Sequence, residues 1–278
     1  REPAPASRRT RRRRPDMRRI FPAHAYGEGP RARCFWPTTT APPDYPNAEG
    51  RIACDVAVIG AGFTGLSAAL HLAEAGQDVR VLEAETPGWG ASGRNGGFCC
   101  LGGSAASDAM LRHLHGEEAR RAWRRTEIEA VRVAQDLIAR HDIAADTHSE
   151  GETLLAHTPQ AAASFPERAA RIAEDYGVTP TLIPGEALAQ AGMRGPFHAA
   201  LTTPVGLALN PMKYTAGLAR AATRAGAPHP GCPAPREAGA RSGPPSPPFA
   251  PWGPTILLAT ATAARVPGLP VRPAAAGR

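Results

Sequence analysis

The sequence predicts an α/β chain, and three observations carry that expectation. The stretch Asp55-Val-Ala-Val-Ile-Gly-Ala-Gly-Phe-Thr-Gly-Leu66, closed by Val79-Arg-Val-Leu-Glu83, runs in the order strand, glycine turn, helix, strand, acid. Further along, short β-prone runs alternate with segments of helical period. With 278 residues, 42% of them apolar, the chain can bury a sizeable core and suggests one or two domains.

The first unit justifies itself residue by residue. Val56 to Ile59 form the unbroken apolar run of a strand covered on both faces. Gly60 permits the tight turn, Gly62 lets the backbone approach a pyrophosphate, and Gly65 lets the helix pack close to the strand. The helix then aims its N-terminal N–H groups at the phosphates. Leu66, Ala69, Leu70 and Ala73 repeat at helical spacing, and Gly76 is the expected C-cap. Glu83 follows Gly60 by 23 residues, close to the spacing of about 20 at which an acid holds a ribose hydroxyl. The unit is therefore read as Rossmann-like and dinucleotide-binding. A purely structural glycine turn is the competing reading, and the agreement of both strands, helix and acid weighs against it.

Gly88-Trp-Gly-Ala-Ser-Gly-Arg-Asn-Gly-Gly97 is a second glycine-rich loop. Its backbone N–H groups can line a phosphate, Ser92 and Asn95 can add hydrogen bonds, and Arg94 can add charge. Trp89 and Phe98 flank it and are expected to pack rather than leave a flexible surface turn. A nicotinamide fold does not usually need a second phosphate loop at this point, whereas the longer FAD benefits from one.

The remaining elements follow in order. Residues 20–53 read as an extended, turn-rich lead-in, with Phe35-Trp36 placed to pack on a domain surface. Residues 117–140 predict one amphipathic helix with Trp123, Ala130, Ala134, Leu137 and Ile138 as its apolar stripe. Glu152 to Ala156 predict a strand, 160–176 a helix, 185–191 a short helix and 203–209 a strand. Pro211 suits a helix N1 position, and that helix should run to about Thr223. Residues 228–254 contain ten prolines and no period, so they are expected to be irregular, with Thr255 to Thr260 as one strand-like island.

Charge and cysteine content narrow the function classes. The formal charge of +7 lies wholly in residues 1–19, which hold nine arginines against Glu2 and Asp16. Such an arm can bind phosphates non-specifically, but the plainer reading is upstream sequence ahead of a start at Met17. No specific nucleic-acid partner is expected. No run of 18 apolar residues predicts a membrane span, and no apolar segment behind the charged N-terminus predicts a signal peptide. Five cysteines without zinc spacing suggest a reducing, cytoplasmic setting and no metal site. His71 is expected to pack, and His113, His115 and His141 to be solvated.

Residues 54–104 resemble the flavin domain of the D-amino-acid-oxidase-like (DAO) FAD-dependent oxidoreductases, most nearly the gamma-glutamylputrescine oxidase group. The resemblance is carried by Val58-Ile-Gly-Ala-Gly-Phe-Thr-Gly-Leu66, Leu82-Glu83 and Gly88 to Phe98. Phe35-Trp36, Ala41-Pro-Pro43, Gly151-Glu-Thr-Leu-Leu155 and Leu209-Asn-Pro-Met-Lys-Tyr214 are similar to that group too, so that about residues 30–226 are covered.

The resemblance implies a Rossmann-like FAD-binding domain (30–105) and a partial α+β substrate domain (106–226), between a basic arm (1–29) and a proline-rich tail (227–278). It implies FAD as cofactor, held by Gly60, Gly62, Phe63, Thr64, Gly65, Glu83, Ala84, Ser92, Gly93, Arg94, Asn95, Gly96 and Gly97. It further implies oxidation of the C–N bond of an amine or amino acid, with O2 as acceptor, H2O2 as product and a place in polyamine catabolism. The flavin carries the chemistry, consistent with the lack of a Ser/His/Asp or paired-carboxylate constellation. Family members are much longer, and the segment from about residue 228 does not look like them. A truncated, non-catalytic flavoprotein fragment is therefore the alternative expectation, and a nicotinamide-dependent dehydrogenase a third.

Overall fold

The computed structural model describes residues 33–46, 48, 52–103 and 106–227, and the backbone of 255–258. The basic arm and the proline-rich stretch 228–254 lie outside the described residues. The chain divides into two compact units, residues 1–35 and 36–278. The elements below all belong to the second.

The α/β expectation holds. Strand β1 (Val56–Ile59), helix α1 (Phe63–Glu74) and strand β2 (Val79–Leu82) form the crossover that the glycine turn requires. β1 and β2 pair in parallel, with Val56 opposite Val79 and Val58 opposite Val81. All four of these valines are buried. Leu66, Ala69, Leu70 and Ala73 of α1 are buried as their spacing requires, and Gly76, with φ of 81°, follows the helix end in the left-handed conformation.

Strand β3 (Phe98–Cys100) leaves the second glycine loop and pairs antiparallel with β7 (Gly206–Ala208). Between them lie α2 (Asp108–Arg140), β4 (Glu152–Ala156), α3 (Pro159–Tyr176), β5 (Thr181–Pro184) and β6 (Ala199–Thr203). β4, β6 and β5 make a three-stranded antiparallel sheet. Helix α3 covers one face of it through Phe165 against Leu201 and Ala156. Helix α4 (Pro211–Arg224) packs on α1, and Leu218, Ala219 and Ala222 join the core of Val58, Leu66 and Leu70. Strand β8 (Thr255–Leu258) completes the parallel sheet on the other side of β1, with Val56 opposite Thr255.

Four expectations need correction. The predicted strand 203–209 is two strands, β6 and β7, because the chain turns at Pro204, whose ring removes a ladder donor. Helix α2 begins at Asp108 rather than 117 and is broken at Gly116, whose φ of 83° and ψ of 170° are non-helical. The face that α2 buries is Arg120, Glu127, Val131 and Leu137, whereas Ala130 is exposed. That stripe is polar because Arg120 and Glu127 find partners on α3. Segment 185–191 makes only a single 3-10 turn, Gly185–Ala187, before an irregular stretch.

Candidate functional site

The first glycine loop is built for a close approach. Gly60 has φ of 102°, a conformation that L side chains rarely adopt. A side chain at Gly65 would overlap the carbonyl of Gly60, which is why the helix can sit so near β1. Gly62 is extended and serves as the N-cap of α1 with no side-chain cap of its own. The cap comes from elsewhere: Ser92 Oγ accepts the Phe63 N–H at 3.0 Å. A Cβ on Gly62 would come within 2.9 Å of that oxygen.

The two glycine loops are thus one structure. The Gly88 N–H donates to the Ala61 carbonyl at 3.0 Å, a second tie between them. Helix α4 presses on the second loop from below. A Cβ on Gly88 would meet Met212 Sδ at 2.9 Å, and one on Gly93 would overlap both Met212 and the Gly88 carbonyl. Phe63 and Tyr214 meet as a tilted pair, with ring centroids 5.2 Å apart and ring planes inclined at 51°. Burial pushes the Tyr214 hydroxyl up to about 12, so it stays neutral there.

Glu83 lies half-buried at the end of β2. Its Oε2 accepts the Ala61 N–H at 2.7 Å and its Oε1 accepts the Glu85 N–H at 3.0 Å. The carboxylate therefore braces the first glycine loop. Ala84, next to it, is exposed, as is Thr64 at the start of α1.

Side chains of the second loop serve the loop itself. Asn95 Nδ2 donates to the carbonyls of Ala91 (3.2 Å) and Ser92 (2.9 Å), and its Oδ1 accepts the Gly97 N–H at 2.8 Å. Arg94 Nε donates to the Gly90 carbonyl at 3.1 Å, and its guanidinium lies 5.0 Å from the centre of the Trp89 ring. Asn95 is thereby committed to shaping the loop, which leaves backbone amides as its means of meeting an anion. Gly96 is exposed at the rim and Gly97, with φ of 75°, is buried against the Leu209 carbonyl. Phe98 does not pack as expected: it is 75% exposed at the first position of β3, a three-residue strand that fully buries none of its side chains.

The arrangement fits a dinucleotide. Glycines stand where a side chain would fill the cradle, a helix N-terminus opens onto it, and an acid closes the far strand. Trp36 and Met212, which the sequence marked only for surface packing and family likeness, and Thr215, which it did not mark, hold the second loop from outside. His71 is exposed, and its Nδ1 pairs with the Ser67 carbonyl at 2.7 Å, so it does not pack in the core. His141 is not a fully solvated residue. It caps α2 with its side chain 17% exposed, and burial lowers its pKa. Among the described residues no cluster of His, Cys, Asp or Glu could hold a metal ion, and no helix is long and apolar enough to cross a membrane.

Comparison with known proteins agrees with this geometry. Residues 55–229 match the family model described as DAO, FAD dependent oxidoreductase. The chain is 44% identical over 100 residues to gamma-glutamylputrescine oxidoreductase of Escherichia coli (strain K12), covering 36% of this chain and 23% of that protein. It is 32% identical over 196 residues to the probable oxidoreductase OrdL of Rhizobium meliloti (strain 1021), covering 69% of this chain and 45% of that one. In fold it is similar to the L-amino acid deaminase of Proteus myxofaciens, with a TM-score of 0.53 at 18% identity, over 68% of this chain and 40% of that one. The match thus spans less than half the length of these relatives.

Proposed function

From the premise that the chain belongs to the FAD dependent oxidoreductase (DAO) family, we propose that it serves the oxidation of an amine or amino acid at a C–N bond. FAD is the cofactor of that family. The observation that carries the reading is the union of the two glycine loops, sealed by Ser92 on the N-terminus of α1. In this reading Gly62, Thr64 and Gly65 bring backbone amides to the pyrophosphate, while Gly60 and Phe63, whose amides donate to the Leu82 carbonyl and to Ser92 Oγ, shape the loop around it. Glu83 and Ala84 meet the ribose. Ser92, Gly93, Arg94, Asn95, Gly96 and Gly97 form the second wall. Because α4 shares the core of α1, the FAD-binding domain comprises α4 as well as residues 30–105. The elements between, from α2 to β6, are the partial substrate domain.

When bound, FAD supplies the hydride acceptor for the C–N bond and passes the electrons to O2, giving H2O2 and an imine that hydrolyses. The chain's own residues bind, orient and exclude water. We place the substrate among gamma-glutamylputrescine-like amines, in polyamine catabolism in the cytoplasm. The support is the 44% identity over 100 residues to a gamma-glutamylputrescine oxidoreductase.

The test starts from the visible spectrum of the purified chain, with and without added FAD. Flavin bands that survive desalting support the reading, and their absence at saturating FAD overturns it. Peroxide release is then compared for gamma-glutamylputrescine, other polyamines, sarcosine and D-amino acids. Preference for the first supports the narrower assignment. Turnover of amino acids alone overturns that assignment and leaves the broader one.

A further inference from the structure

Trp36 opens a short 3-10 turn, Trp36–Thr38, that no part of the dinucleotide motif calls for. Its indole Nε1 donates to the Asn95 carbonyl at 2.7 Å, 59 residues away in the second glycine loop. The turn is anchored at its other end. Thr39 Oγ1 donates to the Trp36 carbonyl at 2.6 Å and accepts from Asn210 Nδ2 at 2.9 Å. Asn210 is 4% exposed and cannot follow a moving surface segment. Its Oδ1 caps α4 on the Lys213 N–H, and its own N–H donates to the Ala145 carbonyl. The neighbouring Leu209 N–H takes the Gly97 carbonyl at 2.8 Å. A Cβ on Gly97 would stand 3.3 Å from the Trp36 ring. The loop end is therefore gripped between the indole and the start of α4.

We propose that the Trp36–Thr39 segment is a latch that sets the Asn95–Gly96 peptide for the cofactor, with Trp36 as the positioning residue. The argument is geometric. A trans peptide points its C=O and N–H in opposite directions. With the Asn95 carbonyl held by the indole, the Gly96 N–H must point away from Trp36. The Asn95 side chain is spent on Ala91, Ser92 and Gly97 and cannot do this work. Fixing one peptide plane pre-organises one amide donor toward an anion, so less ordering is left for binding. The anion is a phosphate or another polar edge of FAD, and to that extent the inference rests on the proposed function.

Trp36→Phe removes the indole N–H donor and keeps an aromatic, though smaller, ring at this position. The full chain is examined without FAD by hydrogen exchange of the peptide spanning residues 91–97, by circular dichroism and by thermal unfolding, and then by FAD titration. Faster exchange confined to residues 91–97, a fall in melting temperature of no more than about 4 °C, and FAD binding weakened about 5-fold, the worth of one neutral hydrogen bond, support the latch. Unchanged exchange and affinity overturn it. Exchange accelerated throughout the chain, with a larger fall in melting temperature, also overturns it, since Trp36 would then be a structural residue. Should Trp36→Phe fail to fold, Thr39→Val, which frees the anchored end, is read by the same criteria. If the unaltered chain takes up no FAD, the proposed function fails. The exchange arm then decides the latch alone: release of residues 91–97 in the variant supports it, and no release overturns it.

Discussion

The hydroxyl of Ser92 accepts the backbone N–H of Phe63, the first residue of α1, at 3.0 Å. A helix N-terminus is normally capped by the residue just before it. Here that residue is Gly62, which must stay bare, and the cap arrives from a second loop 29 residues on. One oxygen thus satisfies an orphan amide, leaves Gly62 bare and fastens the two glycine loops together.

Ser92→Ala should therefore lower stability even without cofactor. Loss of a capping hydroxyl costs about 1 kcal/mol, which for a domain of this size is a fall in melting temperature of about 2–4 °C. FAD affinity should fall as well, because the loops lose their shared point. Thermal unfolding of the apo chain and FAD titration check the two effects separately. An unchanged melting temperature would mean that Ser92 does not cap α1 in solution.

Gly65→Ala and Gly62→Ala should separate folding from binding. At Gly65 the new methyl overlaps the Gly60 carbonyl, which is backbone and cannot yield without opening the turn. Overpacking of this kind costs about 1–3 kcal/mol or more. At Gly62 the methyl comes within 2.9 Å of Ser92 Oγ, a side-chain atom that can rotate away. Gly62→Ala should keep its fold, measured by circular dichroism and unfolding, while flavin content after desalting drops. Gly65→Ala should lose both.

How much of this was legible beforehand depends on sequence distance. The strand, turn, helix and acid of residues 56–83 are encoded locally: glycine where φ is positive, valines at β spacing, Leu66 and Leu70 at helical spacing. What brings α4 under Gly88 and Gly93, or Trp36 onto Asn95, is tertiary packing between segments more than 50 residues apart. Glu127 is the sharpest case. A carboxylate on a helix reads as solvent-facing, yet it is 5% exposed. Its compensation comes from Trp123 and Arg124 nearby and from the Tyr176 hydroxyl, 49 residues away on α3. No pattern within α2 announces that partner.

Glu83→Gln should weaken the first loop and FAD binding together. The carboxylate accepts two backbone N–H groups, one on each oxygen. An amide has one accepting oxygen, so one of these donors is left facing an NH2 group. The expected cost is about 1–3 kcal/mol, as for a lost charge-assisted bond, read by denaturant unfolding of the apo chain. If stability is retained and only FAD affinity falls, the carboxylate acts on the ribose alone.

The chain should lose stability in acid partly through Glu117. Hydrogen bonds from Arg120, then Arg112 and Arg121, hold its carboxyl down at about 2, against an ordinary value of 4.5. A carboxyl with a depressed folded-state pKa stabilises the fold above its unfolded value and loses that contribution as pH falls toward the folded value. Its share should thus be complete above about pH 4.5 and fade between there and pH 2. Because the group is 41% exposed, the effect should shrink in high salt. Unfolding midpoints from pH 2 to 6, for the unaltered chain and Glu117→Gln, check this. The variant should show a shallower acid slope, and parallel slopes would count against the ion pairs.

Gly116→Ala should straighten α2 and draw its first part off an ion cluster. Gly116 sits at φ 83° and ψ 170°, a region closed to residues with a Cβ at a cost of about 1–3 kcal/mol. The break does something: it lets Asp108, in the short first part, reach Arg124 and Arg120 in the second. Arg120 in turn meets Asp175 on α3 at 2.8 Å and Glu117 at 2.8 Å, while Arg124 meets Glu127 at 2.7 Å. An alanine favours a continuous helix at 116, which would swing residues 108–115 off this cluster and leave buried Arg120 short of one charge. The local gain in helix propensity and the loss of the cluster oppose each other. The cluster should win, since leaving a buried charge under-paired costs more than one propensity difference of about 1 kcal/mol. The expected result is a lower melting temperature with equal or higher helix content by circular dichroism. A variant that is more stable and more helical would show that the kink, rather than the ion cluster, is the weaker feature of α2.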